Sequence, residues 1–313
     1  MNQTINNGVW PVMITPFTKE NKIDYQGVLE ILEWYRTQHV AGVFAVCQSS
    51  EMYQLSANER IALAKFVISN AGPKLGVIAS GHVATNIEEQ IREANEIIGA
   101  GVDAYVFVSN QFAQAEQDDE VAKKNIEILL TRIPAETFGI YECPHPYKRL
   151  ISPELLQWCA ATGKFTFIKD TCCNLQEIAA KIKAVEGSNL KVFNANTATL
   201  LESLKLGAAG YSGVMANFHA GLYVWLCTHF RQEPGKAVLA QDLLGLASLA
   251  EYQMYPVNAK YHMQLEGLHI NLFSRVCNFH KFGPNQCMEI EQLRSTVKQF
   301  REKIIQKPLV LLG

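Results

Sequence analysis

Eight short apolar stretches, at residues 9–15, 42–47, 75–81, 104–109, 138–143, 165–169, 191–195 and 210–215, alternate with segments of helical character. They recur about every 20 to 35 residues, the rhythm of repeated βα units. Helix signals fall in the gaps. Ile87, Ile91, Ala94 and Ile98 share one helical face ahead of Gly99-Ala100-Gly101, a stop signal. Asp24 suits a helix N-cap, and Ser56 followed by Glu59 matches a capping box. Because parallel strands need helical crossovers, this alternation predicts an α/β fold, a closed (β/α)8 TIM barrel over residues 1–217. An open doubly wound sheet is the alternative. Beyond Phe218 the strand signals stop, and Ile290, Leu293, Val297, Phe300 and Ile304 recur at helical spacing. Residues 218–313 therefore predict a C-terminal helical extension, packed on the barrel because no Ser/Gly/Pro-rich linker precedes it.

Composition narrows the function. The chain has 313 residues, 48% hydrophobic and 19% charged, enough apolar content for a large core. Its 28 Lys+Arg against 30 Asp+Glu give a net charge of −2, which supplies no field for nucleic acid or an anionic membrane. The first residues lack the basic and apolar regions of a secretory signal, so a cytoplasmic protein is expected. The eight cysteines are scattered and read as free thiols. G-x-G-x-x-G fails at Ala104, and Walker A, H-E-x-x-H and G-x-S-x-G motifs are missing. Cys47, Cys143, Cys172, Cys173, His82 and His145 fall near strand ends, but their spacing matches no zinc pattern. Neither a cofactor nor a metal is expected.

A barrel of this kind carries its chemistry at the C-terminal ends of its strands. In the sixth stretch, strand alternation places Phe165, Phe167 and Lys169 on one face, so Lys169 would project from an aromatic floor into the mouth. Desolvation there favours the neutral amine, the form that attacks a carbonyl to give a Schiff base. The plain alternative is a lysine reaching out to water. Tyr141 ends the fifth stretch on a face with Gly139 and Cys143, and an inward phenol could exchange protons with a carbinolamine at Lys169; a buried aromatic with a satisfied hydroxyl is the alternative. After the second stretch, Gln48, Ser49 and Ser50 lead into the capped helix in a turn suited to a carboxylate, or simply to capping. Ser212, in the last stretch, completes the substrate-binding candidates.

In this order the residues resemble, from end to end, the dihydrodipicolinate synthase and N-acetylneuraminate lyase family of class I aldolases. Thr15-Pro16-Phe17 is similar to its T-P-F/M, Gln48-Ser49-Ser50-Glu51 to its T-T-G-E, Tyr141 opens a segment like Y-N-x-P, Ile168-Lys169-Asp170 is similar to I-K-[DE], and Pro256 to Lys260 to P-x-x-x-K. The resemblance implies that Lys169 forms an imine with pyruvate or another 2-oxo acid, that Tyr141 moves protons, and that the Ser49 and Ser50 region holds the carboxylate. It implies no cofactor and a homo-oligomer, dimer or tetramer. Departures concern the second substrate. Pro146 stands where the synthase has an arginine, leaving Lys148 and Arg149 as nearby cations; Phe112 and Gln48 replace two hydroxyls of its proton relay; Asn194-Ala195-Asn196-Thr197-Ala198 lacks the lyase's acidic pair. The expected function is a Schiff-base lyase or aldolase of unassigned specificity. A sugar-acid dehydratase, a synthase-like condensing enzyme and a catalytically impaired binding homologue or scaffold are the alternatives.

Overall fold

The computed structural model describes residues 5–135 and 137–306. Eight parallel strands form one sheet: β1 (Gly8–Val9), β2 (Gly42–Phe44), β3 (Gly76–Ala79), β4 (Ala104–Val108), β5 (Phe138–Tyr141), β6 (Phe165–Asp170), β7 (Lys191–Asn194) and β8 (Gly210–Tyr211), in the order β1-β8-β7-β6-β5-β4-β3-β2. The sheet closes where Val12 bridges Phe44 and the Phe44 N–H donates to the Pro11 carbonyl at 2.8 Å. The barrel expectation holds and the open sheet is excluded. The stretch at 9–15 yields only a two-residue strand, because Pro11 has no N–H to continue the ladder.

Each crossover is helical: α1 (Tyr25–Thr37), α2 (Ala57–Ala71), α3 (Ile87–Gly99), α4 (Asp119–Arg132), α5 (Pro153–Ala161), α6 (Leu175–Ala184) and α7 (Leu200–Leu206). Asp24 caps α1 by accepting from the Gly27 N–H, and Ser56 and Glu59 form the expected box at α2. The helix α8 (Ala216–His229) begins before position 217, is kinked at His219, and packs on β1 and β8 as the barrel's eighth helix. We therefore place the start of the extension at α9 (Pro234–Ala247), followed by α10 (Val257–Leu265) and α11 (Pro284–Phe300). Gln241 of α9 docks it, accepting from the Leu201 N–H and donating to the Thr197 carbonyl, both at 2.9 Å.

The pairing of β5 with β6 positions the site. Phe138 faces Phe165, but Gly139 faces Phe167, so one step on β5 spans two residues on β6 in a bulge. The bulge corrects the expected alternation. Phe165 joins Phe138 and Phe107 in an aromatic cluster, while Phe167 lies over Gly139 and Lys169 pairs directly opposite Tyr141. A Cβ on Gly139 would sit 2.1 Å from the Phe167 ring, so glycine is required for that approach. Gly139→Ala should cost about 1–3 kcal/mol through overpacking, measured by denaturant unfolding. Unchanged stability would mean that this contact does not hold the register.

Candidate active site

Lys169, next to last in β6, is only 5% exposed, with its Nζ 4.0 Å from the centre of the Tyr141 ring and 6.0 Å from that of Phe44. No described residue forms an ion pair with it. Burial lowers its pKa to about 8; the thiols of Cys47 and Cys143 and the carboxylate of Glu251 only partly oppose this. At pH 7 about one molecule in ten then carries the neutral amine, against roughly one in several thousand for an ordinary lysine. The Tyr141 phenol donates to Gln48 Oε1 at 3.2 Å. Burial, with Cys143 and Cys47 nearby, raises its pKa well above the usual tyrosine value, so the phenol keeps its proton.

Gln48–Ser50 forms a single tight turn after β2, closed by Glu51 in a left-handed conformation (φ 63°). Thr15 Oγ1 donates to the Ser50 carbonyl at 2.9 Å and holds the turn from the β1 side. Glu51 is buried and accepts from Lys260 Nζ at 3.2 Å, Ser274 Oγ at 3.1 Å and the Val276 N–H at 3.1 Å. The turn is thereby tied to the helical extension. Gln48 and Ser49 face the mouth. Ser50 is fully buried, its Oγ accepting from the Cys47 N–H and donating to the Cys47 carbonyl, both at 2.7 Å, so it shapes the turn from behind.

The mouth is a cavity of about 680 Å3 lined by Lys169, Tyr141, Gln48 and Ser49 together with residues from the neighbouring loops and the helical extension. Tyr53, from the segment after the turn, donates to the His145 carbonyl at 2.6 Å and lies 3.6 Å from Cys143 Sγ. Tyr255 accepts from Asn217 Nδ2 at 3.0 Å and stands beside Ser49. Lys148, Asn196, Glu251 and Tyr252 form the outer wall. Burial holds the Glu251 carboxyl above its ordinary range. Tyr255 immediately precedes the Pro256 to Lys260 motif; Glu251 and Tyr252 had no sequence signal, because only the folding back of the extension brings them over the barrel.

A model of the dihydrodipicolinate synthetase family matches residues 6–298. The chain belongs to that family. Membership places it among the lyases. The 4-hydroxy-tetrahydrodipicolinate synthase of Acidithiobacillus ferrooxidans is 25% identical over 274 residues, 85% of this chain and 83% of that protein. That of Methanococcus maripaludis is 26% identical over 272 residues, 83% and 89% of the two chains. Among solved structures, dihydrodipicolinate synthase DapA-2 of Bacillus anthracis superposes with a TM-score of 0.83 at 17% identity, over 93% of this chain and 98% of the other. The YagE prophage protein of Escherichia coli K12, solved with pyruvate, gives 0.82 at 21% over 94% and 98%. CdNal of Clostridium difficile, solved with mannosamine, gives 0.82 at 16% over 93% and 98%.

Several positions singled out from the sequence lie away from the cavity of this family member. Ser212 Oγ donates to the Trp10 carbonyl at 2.9 Å and does not line the mouth; its hydroxyl fastens β8 to β1. Phe112 is buried against His82 and Phe107. Arg149 is held by Asp119 Oδ1 at 2.8 Å and by three backbone carbonyls, which leaves Lys148 as the cation on the wall. His82 is buried between Gln90 and the Val108 N–H. All eight cysteines are free, and among the described residues no group of three metal-ligating side chains converges. No described helix is long and apolar enough to cross a membrane.

Behind the reactive pair, Glu142 and Asp170 each follow a site residue and both contact Lys181 Nζ at 2.5 Å. Burial opposes charge on Lys181, but the two carboxylates outweigh it and raise its pKa. The Glu142 carboxylate also accepts from the N–H groups of Ile151 and Thr171, both at 2.8 Å, clamping the loops that leave β5 and β6.

Two outcomes follow from this geometry. Lys181→Met should destabilise the fold by about 3–5 kcal/mol, since it leaves the buried acid pair Glu142 and Asp170 without its cation; a loss under 1 kcal/mol in chemical denaturation would contradict the clamp. Reductive methylation of Lys169 by formaldehyde and borohydride, followed by peptide mapping, should accelerate as pH rises with a midpoint near pH 8 and level off by about pH 9, because the neutral amine reacts. A rate still climbing at pH 10 would show an ordinary lysine.

Proposed function

We propose that the protein is a Schiff-base-forming lyase or aldolase that acts on pyruvate or a related 2-oxo acid through Lys169. One observation carries this reading: an unpaired, desolvated lysine amine lies 4.0 Å from the centre of a protonated tyrosine ring, inside a cavity large enough for a small molecule. The neutral amine adds to the carbonyl carbon of the acid. Tyr141 delivers a proton to the carbinolamine hydroxyl, which leaves as water; the cationic imine takes up the electron pair of a neighbouring C–H or C–C bond as it breaks, giving an enamine that donates the pair back when a new bond forms. Ser49, at the turn after β2, faces the substrate carboxylate, with Gln48 holding the Tyr141 hydroxyl. The relatives named for dihydrodipicolinate synthesis and the pyruvate solved with YagE support a 2-oxo acid as the first substrate. The family resemblance adds a cytoplasmic homo-oligomer, dimer or tetramer, that works without a cofactor.

Glu251 favours a second reading within the same chemistry. A carboxyl that burial keeps protonated to higher pH can donate to a departing hydroxyl, which suits dehydration of a sugar acid. Product analysis separates the two, since retro-aldol cleavage yields two carbon fragments and dehydration leaves the chain intact. With a panel of 2-oxo acids, aldehydes and sugar acids, Tyr141→Phe should lower kcat about 10²–10⁴-fold and Lys169→Ala should abolish turnover. Turnover by Lys169→Ala at the parent rate would overturn the proposal.

A further inference from the structure

A second cavity, of about 310 Å3, lies on the outside of the barrel wall between α1, α8, α10 and α11, and shares no lining residue with the mouth. Its floor is made of Trp34, His219 and His262, which are 7%, 6% and 2% exposed. Nine buried side-chain nitrogen or oxygen atoms among the described residues have no hydrogen-bond partner, and four of them belong to this floor: Trp34 Nε1, both ring nitrogens of His219, and His262 Nδ1. Buried polar groups are nearly always satisfied, so four unsatisfied atoms gathered around one hollow mark a place where something else supplies the partners. His219 sits at the kink of α8 (φ −141°, ψ 52°), where its first turn meets the main helix.

The chemistry of the lining selects the ligand. The Trp34 indole can only donate. Burial drives the pKa of both imidazoles down to about 3, with the neighbouring cations adding to the shift, so at neutral pH each ring offers one N–H and one lone pair. The rim carries Arg294, Lys298 and Arg301, against Glu266 and Glu302. Arg294 is committed to Glu266 at 2.5 Å, but neither Lys298 nor Arg301 has an ion-pair partner among the described residues. Donors below and uncommitted cations above fit negatively charged oxygens. We propose that this cavity binds a small anion bearing a carboxylate or phosphate group, at a site separate from that of Lys169.

The full-length protein, labelled with 15N in its histidine rings and tryptophan indoles, tests this by NMR with inorganic phosphate and citrate as the two probes and chloride as a control. Saturable shifts of the His219, His262 and Trp34 signals with either probe, at concentrations where chloride does nothing, are the expected result; which probe acts tells phosphate from carboxylate. The exposed pair Lys298→Ala and Arg301→Ala, combined, should weaken that probe about tenfold or more while leaving Tm unchanged. Signals that do not move with either probe, that move equally with chloride, or that move unchanged in the double variant would show a hollow filled by water alone.

Discussion

The register between β5 and β6 is the constraint on which the site depends. Tyr141 and Lys169 face each other because a bulge shifts the pairing by one residue between Phe138 and Gly139. Gly139 admits the Phe167 ring over its own backbone, which fills the barrel below the pair. One residue beyond, the alternation of a strand turns Glu142 and Asp170 to the other side, where Lys181 joins them. The same two strand ends therefore supply a desolvated amine on the inner face and a saturated ion cluster on the outer face.

Four lysines are buried among the described residues, and their partners give them different roles. Lys181 lies between two carboxylates and stays charged. Lys260 contacts Glu51 and the Phe273 carbonyl, and serves to tie the Gln48–Ser50 turn to the extension. Lys236 pairs with Glu233, so Lys169 alone of the four has no carboxylate partner among the described residues, and desolvation lowers its pKa with little opposition. Burial by itself does not make a lysine nucleophilic; burial without a counter-charge, at the open end of a barrel, does.

The architecture was legible in the sequence because eight βα units announce themselves through periodicity, and strand ends locate the chemistry before any contact is known. Lys169 and Tyr141 could be singled out on that ground. The bulge was not legible: a strict two-residue alternation put Phe165 on the face of Phe167, and only the paired strand reveals the extra residue. Hydroxyl direction was equally hidden. Ser49, Ser50 and Ser212 look alike as residues near strand ends, yet only Ser49 faces the cavity, while the other two hydrogen-bond to nearby backbone. Glu251 and Tyr252 reach the mouth through tertiary folding of a segment without strand periodicity, so local pattern carried no sign of them.

Trapping with pyruvate and borohydride decides the account most directly. Intact mass followed by peptide mapping should find one reduced adduct per chain, on Lys169, with Lys181 and Lys260 unmodified. An adduct spread over surface lysines, or none with pyruvate or larger 2-oxo acids while a control aldolase reacts, would contradict it.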